Sequence, residues 1–138
     1  MPERDGLMSM HGKRILVVED WLVVAQEIET LLTELGCTVV GAIPRLSAAL
    51  EYARKEPLDA AILDVNLNDE EVFPVADELL MRGIPFIFMT GYDEQALPPE
   101  FREWPRLEKP FSAEDFTRSL RQAFAMVPPR AGNGDLSG

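Results

Sequence analysis

Hydrophobic and polar positions along the chain alternate between two periods. Four short apolar runs, "RILVV" from Arg14, "CTVVGAI" from Cys37, "LDAAILD" from Leu58 and "IPFIFMT" from Ile84, have the length and composition of strands buried in a parallel sheet. Between them lie longer stretches with helical spacing. After Trp21, the residues Val24, Ile28, Leu31, Leu32 and Leu35 share one stripe, and Gly36 follows where a helix-ending glycine belongs. "RLSAALEYARKE" repeats the pattern with Leu46, Ala49, Leu50 and Ala53. A third helix is predicted over residues 71–82, with Val72, Ala76, Leu79 and Leu80 inward. Pro74 falls in its first turn, where a missing N–H costs nothing, and Gly83 closes it.

The fourth helical stretch differs. "DEQALPPEFREWP" places Pro98 and Pro99 where a helix interior should be, and each proline there costs about 3 kcal/mol. A short, broken or mobile element is expected. "RLEK" reads as a brief fifth strand. "FSAEDFTRSLRQAF" then carries a full helix start: Ser112 as the cap, Asp115 closing a capping box, and Phe111 with Phe116 as a hydrophobic staple. Phe116, Leu120, Ala123 and Phe124 form its buried stripe. Alternating strand and helix patterns predict the α/β class, with a doubly wound, five-stranded parallel sheet. Residues 1–12 and 127–138 lack an apolar pattern and are expected to be a disordered leader and tail around a domain at 13–126.

Composition narrows the function. A chain of 138 residues fits one domain that needs no disulfide. The lone Cys37 enters a strand, and the only histidine, His11, lies in the polar leader; both read as incidental. A formal net charge of -11 argues against nucleic-acid or anionic-membrane partners and favours a cation or a basic protein surface. The leader has no apolar core of a signal peptide and no run is long enough to span a membrane, so a cytoplasmic protein is expected.

Ligands of doubly wound sheets bind at the carboxyl ends of the strands. Those ends carry Glu19 and Asp20, then Asp64, then Thr90 and Gly91, then Lys109 and Pro110. Two carboxylates about 4 Å apart repel by about 4 kcal/mol at an effective dielectric near 20, which calls for a neutralising cation. Mg²⁺ suits such a site, because it takes one or two carboxylates and completes its shell with water and phosphate oxygens. Lys109 adds a point charge, Thr90 a hydroxyl, and Gly91 close approach of the backbone to an anion. Carboxylate, metal, lysine and hydroxyl together describe a phosphoryl-transfer site with a carboxylate nucleophile.

With "VVED", "ILDVNL", "FMTG" and "LEKPF" at the strand ends, the chain resembles the response-regulator receiver domain of two-component signalling, from Lys13 to about Met126. The resemblance implies a flavodoxin-like fold with strand order 2-1-3-4-5. It implies Asp64 as phosphoacceptor, with Glu19, Asp20, Asp64 and the Asn66 main-chain carbonyl serving Mg²⁺ and Thr90 and Lys109 holding phosphoryl oxygens. The donor would be a sensor histidine kinase or a histidine phosphotransfer protein. Output would pass to a downstream protein from a stand-alone receiver, monomeric or weakly dimeric, that acts only on its own phosphorylation. "PFIFMTGY" is similar to the fourth strand of a single-domain alphaproteobacterial subgroup, with Met89 where that subgroup has alanine.

In most receivers an aromatic ring three residues before the lysine reports phosphorylation. Arg106 occupies that position here, which leaves Tyr92 as the candidate reporter. The acids Asp69, Glu70 and Glu71 are expected to favour the start of the third helix. Two rival readings share the fold and Asp64. One is a Mg²⁺-dependent phosphatase or phosphotransferase; the other is a phosphorylation-independent interaction domain.

Overall fold

The computed structural model describes residues 10–67, 69–91 and 97–126. Its elements follow the chain as β1 (Arg14–Val18), α1 (Leu22–Glu34), β2 (Thr38–Ile43), α2 (Leu46–Lys55), β3 (Ala60–Asp64), β4 (Asn66–Leu67), β5 (Glu70–Glu71), α3 (Phe73–Met81), β6 (Phe86–Thr90), a 3-10 turn (Pro99–Phe101), β7 (Arg106–Glu108) and α4 (Ala113–Ala125). The main sheet is parallel throughout, in the order β2-β1-β3-β6-β7. Counting its own strands alone, this is the expected 2-1-3-4-5.

Strand alternation divides the core into two layers. Ile15, Val17, Ala60, Ile62, Ile87 and Met89 face one layer with Ile28 and Leu32 of α1 and Phe116, Leu120 and Ala123 of α4. Leu16, Val18, Ala61, Leu63, Phe86 and Phe88 face the other with α2, α3 and the 97–104 segment. β1, β3 and β6 are buried nearly end to end, which is why they read as continuous apolar runs.

The predicted helix stops are built as expected. After α1, Gly36 takes a φ of +84° while its N–H bonds the Thr33 carbonyl and the Cys37 N–H bonds the Leu32 carbonyl. After α3, Gly83 at φ +72° repeats this with Leu80, and Ile84 with Leu79. Both satisfy the orphan carbonyls of a helix end with a left-handed residue that glycine adopts without strain. At the other end of the chain, the Ser112 hydroxyl accepts the Asp115 N–H at 3.0 Å and the rings of Phe111 and Phe116 stack at 6.0 Å. The Asp115 carboxylate, expected to close a capping box, takes Arg118 at 3.1 Å.

The structure refines several of the expected boundaries. The chain packs from Met10 rather than Lys13: Met10 is 1% exposed, its carbonyl accepts Cys37 Sγ–H, and Gly12 N–H donates to Gly36. The third helix begins at Phe73, because Glu70 and Glu71 first pair antiparallel with Leu67 and Asn66. No acid lies in its first turn, so the acids do not serve the helix dipole. The fourth connection holds one 3-10 turn among its described residues, and Pro98 and Pro99 open it as proline does at a helix start.

Candidate functional site

The sheet brings Glu19, Asp64, Thr90 and Lys109 together at its carboxyl edge. Glu19 follows β1 and stays in place through its N–H bond to the Ile43 carbonyl of β2. Asp64 ends β3, Thr90 ends β6, and Lys109 follows β7 with its N–H on the Thr90 carbonyl at 2.9 Å. The side chains of Glu19 and Asp64 are almost fully buried. Carboxylate oxygens of Glu19, Asp20 and Asp64 lie within 4.8 Å of one another.

Lys109 Nζ bridges the two buried acids, 3.2 Å from Glu19 Oε1 and 3.4 Å from Asp64 Oδ2. Each acid gives its other oxygen to the backbone. Glu19 Oε2 accepts the Trp21 N–H at 3.0 Å and Asp64 Oδ1 accepts the Asn66 N–H at 3.3 Å. One lysine does not balance three carboxylates. Burial first, and then the charge of Glu19, push the Asp64 carboxyl up to about 8, against the pull of Lys109 and the Asn66 N–H. Burial acts to lower Lys109, but Asp64 and Glu19 outweigh it and hold the ammonium above its ordinary value.

Hard oxygen donors with surplus negative charge are what a small divalent cation takes. The donor set Glu19, Asp20 and Asp64 therefore fits such an ion, and a cation there would relieve the penalty that raises Asp64. Asn66 enters the same frame through the hairpin. The Val72 N–H donates to the Val65 carbonyl at 3.0 Å, and antiparallel ladders alternate bonded and non-bonded pairs. Asn66 and Glu71, one step along, thus point their backbone groups away from each other, which frees the Asn66 N–H for Asp64.

Arg106, at the position usually held by the aromatic reporter, is exposed at the start of β7, and the candidate reporter Tyr92 lies outside the described residues. Sequence reasoning missed the Glu19–Lys109 pair, since nothing in the spacing of residues 90 positions apart reveals it. It also missed a groove of about 420 Å³ that opens beside Lys109, between Trp21 and Val24 of the α1 start and Gly91 and Phe111. Trp21, which lines it, is 68% exposed, and the next two residues, Leu22 and Val23, are 70% and 74% exposed. The signal was present: "DWLVV" carries apolar residues that fall off the buried stripe of α1. Among the described residues, no helix is long and apolar enough to cross a membrane.

Comparison with known proteins agrees with this frame. The Sensory transduction protein LytT of Bacillus anthracis is 30% identical over 113 residues, which cover 79% of this chain and 46% of LytT. The Phyllosphere-induced regulator PhyR of Methylorubrum extorquens is 32% identical over 113 residues, covering 79% of this chain and 42% of PhyR. The chain thus spans about half the length of these curated relatives. The solution structure of SdrG from Sphingomonas melonis Fr1 superposes with a TM-score of 0.76 at 38% identity, over 83% of this chain and 97% of SdrG. The model of the response regulator receiver domain matches residues 15–121, and a match over that much of the fold, with acids at the ends of β1 and β3, places the chain in the receiver domain family of two-component signal transduction.

Proposed function

We propose that the chain accepts a phosphoryl group from a phosphohistidine onto Asp64 and signals through protein contacts. The observation that carries this reading is the environment of Asp64: a buried carboxylate at a strand end, 3.4 Å from Lys109 Nζ and beside two further acids. In the transfer, an Asp64 oxygen forms a bond to phosphorus as the phosphorus–nitrogen bond to the donor imidazole breaks. The leaving nitrogen keeps the electron pair and takes a proton. Lys109 Nζ, freed in part from Asp64, pairs with a phosphoryl oxygen, and the Thr90 hydroxyl donates to another. Water later attacks phosphorus, releases phosphate and restores the carboxylate.

Glu19, Asp20, Asp64 and the Asn66 main-chain carbonyl would hold Mg²⁺. An extended residue sends its N–H and C=O to one side of the strand, so the Asn66 carbonyl shares the side of the N–H that reaches Asp64. When bound, the ion compensates charge on the carboxylates and the phosphoryl group. The donor is a sensor histidine kinase or a histidine phosphotransfer protein. The receiver is cytoplasmic, acts as a monomer or weak dimer, and passes its state to a downstream protein. Incubation with a small phosphodonor and Mg²⁺ should add one phosphoryl group by intact mass. Uptake that persists in Asp64→Ala would overturn the assignment.

A further inference from the structure

The chain leaving Asp64 is linked by side chains to the segment 97–104, here called the strap. Asp64 Oδ1 holds the Asn66 N–H, Asn66 opens the β4–β5 hairpin, and Phe73 begins α3 directly after it. The Phe73 ring stacks on Phe101 at 5.6 Å and 16°, and meets Phe88 edge-on at 5.9 Å. Phe101 sits in the 3-10 turn and closes onto Phe86 and Phe88 of β6. The route through β7 offers no such link, since Arg106 is exposed and the buried Leu107 belongs to the opposite core layer.

We propose that the β4–β5 hairpin transmits the state of Asp64, with Phe73 carrying its displacement to Phe101, so that the strap changes its hold on β6. This rests on the reading of Asp64 as phosphoacceptor. The Asp64 oxygen that anchors the Asn66 N–H becomes part of an acyl phosphate on transfer, and an ester-like carbonyl is a weaker acceptor than a carboxylate oxygen. The phosphoryl group also brings new negative charge beside a hairpin whose exposed residues include Asp69, Glu70 and Glu71, so repulsion acts outward. The hairpin is only two residue pairs long, and Leu67 is the buried side chain among its paired residues.

The strap can respond because no ladder fixes it. Its turn bonds are local, from Phe101 to Pro98, Arg102 to Pro99 and Trp104 to Phe101. Leu97, Phe101 and Trp104 anchor it by burial. An element fastened by a few buried side chains can exchange one packing for another.

The test uses beryllofluoride with Mg²⁺ as a phosphoryl mimic, with fluorine NMR for occupancy and amide hydrogen exchange for the response. In the wild type, exchange at the Phe101 and Trp104 amides should change by about tenfold or more on binding. In Phe73→Leu and in Phe101→Leu, the mimic should still bind and the hairpin amides still respond, while the change in the strap falls below about threefold. A strap response preserved in both variants, or hairpin amides that never move, would overturn the relay. A wild type that binds no mimic overturns the phosphoacceptor reading itself, and the relay with it.

Discussion

Helix α4 and the strap do the same job in opposite ways. Each follows a strand that delivers a site residue, Lys109 before α4 and Thr90 before the strap, and each covers one face of the sheet. α4 is fixed by its own backbone: thirteen residues, a Ser112 cap and a staple, with the stripe Phe116, Leu120 and Ala123 buried beneath it. The strap has a single 3-10 turn and is fixed by three buried side chains. A helix orders many amides for each contact it makes and so unfolds as a unit. A strap held by anchors can open while the sheet survives. One site residue is thus backed by a capped helix and the other by a turn held through side chains.

Large-to-small substitutions at the anchors would break this comparison most directly. Phe116→Ala should cost about 3–5 kcal/mol in urea unfolding, because its cavity opens under a helix that cannot leave on its own. Phe101→Ala removes an equally buried ring, yet it should lower global stability by less, since detachment of the strap caps the loss. Hydrogen exchange should then report local opening at residues 97–104. Equal global losses, with no local opening, would make the strap as integral as α4.

The same contrast explains what could be read from the sequence. The cap, staple and stripe of α4 are local signals within fourteen residues, and all behaved as expected but the Asp115 side chain and Phe124, which is only partly buried. The prolines announced that the fourth helix would fail, but not what replaces it. Phe101 and Trp104 find Phe73, Phe86 and Phe88 only in three dimensions. In the site, strand ends could be aligned from periodicity, which brought Asp20, Asp64, Thr90 and Lys109 to one edge. The β4–β5 hairpin was invisible because two-residue strands carry too little pattern, and because acids near a helix start have a simpler explanation.

The charge state of the site between these two covers gives the next effect. The folded Asp64 carboxyl is pushed up to about 8, whereas an unfolded aspartate titrates near its ordinary value of 3.8. Between those values the folded chain binds a proton that the unfolded chain does not, so stability falls as pH rises. Without divalent cations the loss from pH 6 to pH 8 should be about 2 kcal/mol. Lys109, raised above 10.5, stays charged throughout that window and contributes no slope. Asp77, raised by burial and then by Glu100 of the strap and by Glu78, has the same sign but is exposed and screened. Thermal melts of the wild type should show the slope, and Asp64→Asn or millimolar Mg²⁺ should flatten it. A slope that survives Asp64→Asn would belong to other groups.

The smallest effect tests whether the rigidity of α4 matters to the site. Ser112→Ala removes the hydroxyl that accepts the Asp115 N–H and should cost about 1 kcal/mol. The cap lies three residues after Lys109, across Pro110 and Phe111, so fraying of the first turn loosens the loop that aims Nζ at Glu19 and Asp64. Phosphorylation by a small donor should therefore slow more than the modest stability change accounts for. Ser112→Asp restores an acceptor at the cap and should recover both stability and rate. In the strap, Pro99→Ala should shift stability by less than about 0.5 kcal/mol, because no capping bond from Pro98 is lost and the three anchors remain. If Ser112→Ala lowers stability but leaves the phosphorylation rate untouched, then Lys109 is positioned by β7 and its bond to Thr90 alone, and α4 only covers the core.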